Sequence, residues 1–537
     1  MTNSEWREVW AYTEEPAEPG GWIKPAGYTS PSEMPPEFIC PRPDDERGAD
    51  SRISYNHSVM AYEVPIIVLG GAPPYHFEVT SNMTGVTVED WSPDWNPGCI
   101  CGGVVKVPAN KAGSYTIMAY DQEHTDSPWG SVTVSITVND GKFAFVDFDN
   151  GNNSNTGTIE HPIKDAAAWY GSMYQDAFAG KLLVFRGGVH STVADTENND
   201  QLASADHKPR AMFGYPGEDA ILDFSNSPGG FTDSFTLSGG AYPNHQHDLY
   251  RANMTWRNAG AFTSHNGSGN NQVWWGLRFY NFAGDLYPAM RQSNTGCIIY
   301  LTAGNQSVPH RDYTGVLDCT AELCTPRTNG WDMANTGNLV ETYDMQRVTV
   351  AGCKIIGPYA GQTCWFIKGQ ALRAFMVATD GWTDTGCFRG PYYPYSTLIN
   401  FEEHRDKGQY TIEPAITSRD QVRIISMYCR GFNPSDADWH FTPGSGDSAG
   451  AGKAGGRNGT IRMTIFNSVK DTTGEPDCFL RKCVIGTDKI SKVMGYTTPQ
   501  IQDCLGYTRD GFVQATDTEG RLLDPDQRYK YGHEVLP

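Results

Sequence analysis

Residues 273–282 read VWWGLRFYNF, two short apolar runs that meet at a glycine and a leucine. Similar runs recur along the chain, from LLVFRGG at 182–188 through RAMFGYPG at 210–217 to FLRKCVIG at 479–486. Each run has the length of a β-strand, and helical patterns between them are scarce. Parallel strands joined by helices need long amphipathic crossovers, whereas a solenoid closes each coil with loops. The pattern therefore predicts an all-β chain dominated by a right-handed parallel β-helix.

The segment 61–139 shows a different pattern, in which short alternating runs such as PYHFEVTS and GSYTIMAYD are separated by turn residues. Alternation with this spacing predicts a small antiparallel sandwich. The sequences GGAPPYHF at 70–77 and KAGSYT at 111–116 resemble an Ig-like domain family of bacteria and phages. This resemblance implies an Ig-like β-sandwich.

Residues 1–60 are rich in proline and acidic residues, as in PAEPGG at 16–21 and PRPDDE at 41–46. Such a composition disfavours a packed core. It predicts an extended N-terminal arm that becomes ordered on a partner. If the chain belongs to a virus particle, that partner would be another virion protein. An arm without a partner is the alternative.

Three later segments resemble proteins of the pectate-lyase-like β-helix class. FAFVDFDNGNNSNTGT at 143–158 is similar to the start of such domains, and FRGGVH at 185–190 and GYPGEDAILD at 214–223 are similar to their first coils. The alanine-rich piece 165–178 predicts the short helix that caps the open end of a solenoid. The resemblance implies a β-helix that occupies most of the chain.

The chain is thus expected to contain four parts. They are the arm at 1–60, the sandwich at 61–139, the β-helix at 140–505 and a C-terminal exit segment at 506–537.

Composition excludes some partners. Asp and Glu outnumber Lys and Arg by 62 to 41, and the formal charge of −21 opposes binding to nucleic acid or to anionic membrane surfaces. No apolar stretch has the length of a membrane helix, so membrane insertion is not expected, and the start of the chain lacks the pattern of a secretory signal. The 13 cysteines lack zinc-site spacing and are interpreted mainly as buried free thiols.

In a β-helix, a ligand lies along one parallel sheet and often stacks on aromatic side chains. The stretch 380–413 is richest in carboxylates and aromatic residues. Carboxylates there could hydrolyse a glycosidic bond as acid and base or nucleophile; a solvated charged turn is the alternative. The predicted catalytic residues are Glu402, Glu403, Asp406 and Asp384, and the predicted substrate-binding residues are Trp382, Arg389, Tyr392, Tyr393 and Tyr395.

Two further motifs are weaker. YPNHQHD at 242–248, with His207 and His265, could ligate a metal or supply a general base, although loop histidines are commonly structural. Asp147-x-Asp149-x-Gly151 could hold calcium, but Gly151 replaces a ligand of the EF-hand order, which favours a structural turn. No cofactor is otherwise predicted.

These features predict a phage tailspike or virion fibre that binds host surface polysaccharide and in one interpretation depolymerises it. The resemblance to such spikes implies a homotrimer. A secreted bacterial polysaccharide lyase or hydrolase, which would be extracellular, and an adhesive fibre without catalysis are the alternatives.

Overall fold

The structure is a computed structural model, and for some of its strands it describes the backbone only. The described residues are 36–42, 60–71, 73–94, 99–121, 124–138, 143–164, 182–191, 210–225, 231–234, 248–258, 263–266, 271–281, 297–302, 313–322, 338–356, 367–383, 388–389, 396–405, 416–417, 422–424, 427–430, 460–466, 479–485, 501–502, 505–508, 511–515 and 523–524.

Two antiparallel sheets with a shared core form the N-terminal unit, called the sandwich below. The first sheet has the order β1 (Glu37–Cys40), β2 (Tyr62–Leu69), β5 (Gly102–Val107) and β4 (Thr87–Trp91); the second has the order β3 (His76–Ser81), β6 (Gly113–Tyr120) and β7 (Gly130–Ile136). In β7, Val132, Val134 and Ile136 are buried and the residues between them are exposed, as the alternating sequence predicts. The assignment to an Ig-like family stays a prediction.

The sandwich begins earlier than its predicted boundary. Strand β1 pairs antiparallel with β2, and Phe38 is buried against the ring of Trp129. The range 1–60 predicted as an arm therefore contributes a strand to the first sheet; of the rest of that range, only residues 36, 41, 42 and 60 are among the described residues.

The remaining strands follow in chain order. They are β8 (Phe143–Val146), β9 (Leu182–Phe185), β10 (Gly188–Ser191), β11 (Arg210–Gly214), β12 (Ala220–Asp223), β13 (Phe231–Ser234), β14 (Asp248–Ala252), β15 (Thr255–Arg257), β16 (Thr263–Asn266), β17 (Asn271–Trp275), β18 (Arg278–Tyr280), β19 (Cys297–Thr302), β20 (Tyr313–Leu317), β21 (Thr320–Glu322), β22 (Asn338–Ala351), β23 (Lys354–Ile356), β24 (Ile367–Thr383), β25 (Phe388–Arg389), β26 (Ser396–Arg405), β27 (Ile416–Thr417), β28 (Val422–Ile424), β29 (Met427–Arg430), β30 (Thr460–Phe466), β31 (Phe479–Ile485), β32 (Ile501–Gln502), β33 (Tyr507–Thr508) and β34 (Gly511–Phe512).

These strands confirm the parallel β-helix. Strands one coil apart pair in parallel in unbroken succession, and the pairing runs from β8 to β32. The VWWGLRFYNF stretch contains one corner of a coil, since β17 ends at Trp275, the chain turns at Gly276 and β18 begins at Arg278. The hand of the coil stays a prediction, and the capping helix predicted at 165–178 lies outside the described residues.

Three parallel sheets make up the solenoid. The docked sheet contains β8, β9, β11, β14, β17, β20 and the end of β22; the open sheet contains β10, β12, β15, β18, β21 and β23; the third sheet contains β13, β16, β19 and the start of β22. The longer β24 and β26 continue the docked and open sheets within single strands. No helix occurs in the described part of the chain, so nothing there is a helix able to cross a membrane.

The described part of the solenoid interior contains a cluster of aromatic side chains. Trp256 packs edge-on against Trp274 and Phe279, with ring centroids 6.2 and 5.8 Å apart. Cys319 and Cys353 also lie in this interior, and they are buried free thiols like the other cysteines whose side chains the structure describes. The interpretation of the cysteines is confirmed for these residues.

The first two coils are joined by a paired arginine and glutamate. Glu218 accepts hydrogen bonds from the Arg186 guanidinium at 2.6 and 2.9 Å and from the backbone N–H of Gly187 at 2.7 Å. These residues belong to the two sequence segments that resemble first coils, and the pair explains why both segments carry a charged residue in the turn.

The sandwich covers the outer face of the docked sheet, so this sheet is buried on both faces in its described coils. Ile39 and Ile67 lie where a side chain on Gly315 would be, with their methyl carbons 2.9 Å from its ideal Cβ position. The Thr349 hydroxyl donates to the carbonyl of Val68 at 3.2 Å, which ties the two units by a buried hydrogen bond. A parallel sheet buried on both faces has continuous apolar strands, which explains the VWW run.

At the rim of this interface, a tyrosine is held between two arginines. The guanidinium groups of Arg42 and Arg347 lie 3.5 and 4.7 Å from the ring centroid of Tyr313. Arg347 also pairs with Glu37 of the sandwich at 3.1 Å. Contacts of this kind add electrostatic attraction to the apolar contact area.

Gly352 provides a test of the docking. Its φ is +56°, and an added Cβ would lie 2.2 Å from Cζ3 of Trp91 in the sandwich. We expect Gly352→Ala to lower the free energy of unfolding by about 2–4 kcal/mol, from the left-handed backbone and from overpacking together. Gly217→Ala is the matched control, because its φ is +79° and nothing lies within 4 Å of the added Cβ; it should cost only about 1 kcal/mol. Urea unfolding measures both, and equal losses would contradict the docking.

Candidate functional site

The outer face of the open sheet, called the open face, carries two rows of side chains. The first row is Val189, Ile221, Thr255, Arg278, Thr320 and Lys354; the second is Ser191, Asp223, Arg257, Tyr280, Glu322 and Ile356. All twelve are half-buried or exposed, whereas the row between them, which includes Leu222, Trp256 and Phe279, is buried. Because neighbouring strands lie about 4.8 Å apart, each row presents one residue per coil at that spacing.

A hydrogen-bonded ladder fixes one edge of the open face. Arg257 Nε donates to Asp223 at 2.8 Å, and the Asn258 side-chain amide donates to the same carboxylate at 2.9 Å. Asn281 of the next coil donates to the Asn258 side-chain oxygen at 2.7 Å. Asn258 and Asn281 both have positive φ, a conformation that asparagine tolerates well. The same turn position therefore carries an asparagine in both coils, and the two side chains meet in the ladder.

The pKa of Asp223 is strongly lowered. Burial acts to raise it, but hydrogen bonds from Ser225, Asn258 and Arg257 together outweigh burial and favour the carboxylate. Arg257 is therefore held in place by an ionised partner at neutral pH.

The opposite edge lies at the corner between the docked and open sheets, where Asp318 meets Arg278. The guanidinium donates to the Asp318 carboxylate at 3.0 Å and to its backbone carbonyl at 2.5 Å. Burial raises the pKa of Asp318 and the charge of nearby Asp94 raises it too, while Arg278 acts to lower it. A carboxyl group whose pKa is raised in such a corner is a candidate for proton transfer.

The sandwich forms the border of this corner. Asp94 is exposed and follows β4, and Trp91 at the end of β4 packs on the turn at Gly352. The described ends of the β4–β5 connection, at Trp91, Asp94 and Cys101, thus lie beside the turns that lead into the open sheet. The sandwich contributes a charged residue next to the open face.

The structure brings two of the predicted residues into register with the open face. Glu402 follows Lys354 and Asp380 in the first row, and Trp382 follows Ile356 in the second. The adjacent Glu403 instead aligns with Gly381 and with the buried Ile355. By register, the acidic neighbour of Glu402 is therefore Asp380.

The other predicted residues are not brought to this sheet. Arg389 belongs to β25, which pairs with β27 in a separate two-stranded sheet. Asp384, Asp406, Tyr392, Tyr393 and Tyr395 lie outside the described residues.

The histidine motif is also mostly outside the described residues. His265 lies in β16, opposite Leu301 in the third sheet, and Asp248 begins β14. His207, His245 and His247 fall in parts of the chain that are not described. Within the described part, no group of three or more His, Cys, Asp or Glu side chains is arranged to hold a metal.

The calcium candidate forms a tight turn. Asp147 Oδ1 accepts hydrogen bonds from the backbone N–H groups of Asp149 and Asn150 at 3.1 and 2.8 Å. The pKa of Asp147 is lowered: burial opposes this, and the hydrogen bonds from Asn150 outweigh it. These bonds account for the motif as a structural turn, and calcium binding stays a prediction.

Comparison with known proteins assigns no family. No family model matches the chain, and no curated protein matches it. Among solved structures, the family 28 exopolygalacturonase of Yersinia enterocolitica aligns over 84% of this chain and 97% of that one, with 10% identity and a TM-score of 0.32. A likeness at this level carries no argument, so the fold assignment rests on the strand pairing.

Sequence reasoning missed the described part of the site. Arg278 and Asp318 are 40 residues apart, and Asp223 and Arg257 are 34 apart, so no local motif joins them. Tyr280 lies within the VWWGLRFYNF stretch, where the alternation of polar and apolar residues after Gly276 was the available signal.

The Asp223 ladder predicts a pH-dependent stability. Since the folded-state pKa is below the unfolded value of about 3.9, the contribution is present above that pH and is lost as the pH falls through the folded value. We expect Asp223→Asn to cost about 1–3 kcal/mol at pH 7 and progressively less below about pH 4. Asp219→Asn, at an exposed carboxylate of the preceding turn, is the control. Urea unfolding across pH measures the difference, and a cost independent of pH would contradict the assignment.

Proposed function

We propose that the chain binds polysaccharide along the open face of its β-helix. The observation that carries this proposal is the exposed ring of Tyr280, which lies in register with Arg257 and beside Arg278, both held by aspartates. Aromatic faces stack on the apolar faces of sugar rings, and immobilised guanidinium donors suit sugar hydroxyls. The rows continue by register to Trp382 and Glu402, which gives an extended surface suited to a chain of repeating units.

The binding test uses Tyr280. An array of purified bacterial capsular polysaccharides and O-antigens identifies a ligand of the full chain, and calorimetry then measures its affinity. Tyr280→Ala should weaken binding about three- to tenfold, because stacking is worth about 0.5–1.5 kcal/mol. Tyr280→Phe keeps the ring and should stay within about twofold.

The control for that test is Ile159→Ala, which removes a comparably exposed apolar side chain from a turn outside the open sheet. Absence of binding to every polysaccharide, or equal losses for Tyr280→Ala and Ile159→Ala, would contradict the proposal.

In biological terms, we propose a phage tailspike or fibre that acts as a receptor-binding protein on the virion. Support comes from the sequence resemblances, from the acidic composition and from a sandwich docked on a rigid solenoid. Host surface polysaccharide and neighbouring virion proteins would be the partners. A homotrimer is part of this proposal, and light scattering on the full chain, which should give three times the chain mass, is its check.

Cleavage of the bound polysaccharide is the second candidate function, either in a tailspike or in a secreted lyase or hydrolase. Asp380 and Glu402 favour it, because they are directly paired in adjacent strands of the open sheet. Carboxyl groups about 5–5.5 Å apart support retaining hydrolysis, and wider pairs support inversion.

The catalytic test compares the activity of variants at three neighbouring carboxylates. Glu402→Gln and Asp380→Asn should each lower the release of reducing ends, or of unsaturated uronates, by about 10²-fold or more. Glu403→Gln is the control, because Glu403 lies in the adjacent row of the same strand. Equal activity in all variants would remove the catalytic assignment, and a wild-type chain that binds polysaccharide without cleaving it would indicate an adhesive fibre.

A further inference from the structure

The two arginines of the described open face are paired with carboxylates of the protein. Arg257 pairs with Asp223 at 2.8 Å, and Arg278 pairs with Asp318 at 3.0 Å. Lys354 also has an interaction partner. A guanidinium that is paired with a carboxylate has little net charge left to attract a second anion.

The balance of formal charge is slightly negative only when the described rows and their bordering corner are taken together. Within the rows, the cations are Arg257, Arg278 and Lys354 and the carboxylates are Asp223 and Glu322; Asp318 and the neighbouring Asp94 of the sandwich add two carboxylates at the corner. By register, the next residues of the first row are the acidic Asp380 and Glu402, and those of the second row are Trp382, His404 and Arg430, so the continuation adds two carboxylates and one arginine. The face therefore has a surplus of carboxylates where a polyanion would need cations.

The net charge of the whole chain also opposes the binding of polyanions. Its formal charge of −21 generates a negative potential that slows the approach of polyanions and is felt most at low salt. Long-range and local electrostatics both disfavour an acidic polysaccharide.

The arginine, tyrosine and threonine side chains of the open face offer hydrogen-bonding groups that suit neutral partners. Each guanidinium has five N–H donors, and the hydrogen bond to Asp223 occupies one of the donors of Arg257. Tyr280 adds an exposed ring beside them, and Thr255 and Thr320 add hydroxyl groups in the same rows.

From these observations we propose that the glycan recognised by the open face is uncharged, built of hydroxyl-rich sugars without uronate, sialate or phosphate groups. The fixed arginines act as donors to sugar hydroxyls and not as counter-ions. This inference rests on the polysaccharide-binding function proposed above and names its substrate class.

The test measures binding of the full chain to the array of capsular polysaccharides and O-antigens, grouped by the presence or absence of acidic groups. Each acidic polysaccharide that contains uronate is also presented after chemical reduction of its carboxyl groups, which leaves the linkages unchanged. We expect the tightest binders to be uncharged, and carboxyl reduction to strengthen any weak binding of an acidic member.

The outcomes separate the two proposals. Preferential binding of acidic polysaccharides, weakened by carboxyl reduction and by salt, would overturn the neutral-glycan inference and leave polysaccharide binding intact. Absence of binding to every member would overturn polysaccharide binding itself.

A charge-matched pair of variants tests the local electrostatics. Asp94→Asn removes a carboxylate next to Arg278 and Asp318, whereas Glu160→Gln removes an exposed carboxylate from a turn near the start of the solenoid. At low salt, Asp94→Asn should increase binding of an acidic polysaccharide about two- to fivefold, and Glu160→Gln should leave it unchanged. An equal effect of both variants would show that only net charge matters and would remove the open face from the explanation.

Discussion

The burial of the outer face of the docked sheet under the sandwich is the contact on which the rest of the structure depends. Ile39, Ile67 and Trp91 of the sandwich fill the space that glycines of the solenoid leave open at 315 and 352. The outer face of this sheet, which includes Phe143, Val273 and Trp275, would expose a large hydrophobic surface if the sandwich were absent. The two units therefore share one core and are expected to be stable only together. The docking leaves the outer face of the open sheet charged and accessible in the described coils.

The second constraint is the constant register of the parallel strands. Because each coil adds one residue to each row, side chains far apart in sequence become neighbours at a spacing of about 4.8 Å. This places Asp223 beside Arg257 and Arg257 beside Tyr280 of the next coil. The rows therefore present hydrogen-bond donors and aromatic side chains at regular spacing on an accessible face. In this way a solenoid without a fixed sequence repeat can present a regular surface to a ligand made of repeating units.

The sandwich has a role at this surface beyond covering the docked sheet. Its β4–β5 segment borders the corner where Asp318 lies, and the charge of Asp94 affects the Asp318 carboxyl. Electrostatics at the open face thus depends on both units. This coupling explains how a domain that resembles an independent module in sequence can influence ligand selection by the solenoid.

The amino-acid sequence by itself determined the fold class, because strand-length apolar runs without helical crossovers leave a solenoid as the arrangement that buries them. It also pointed to Trp382 and Glu402 through a local concentration of carboxylates and aromatic residues, and their role in a site stays a prediction. Only the tertiary structure decided that Glu403 falls in a different row, that residues 37–40 belong to the sandwich and that the sandwich covers one sheet. Loops of unequal length separate the coils, so the residues that meet across coils cannot be read from spacing; backbone pairing alone sets which row each side chain joins.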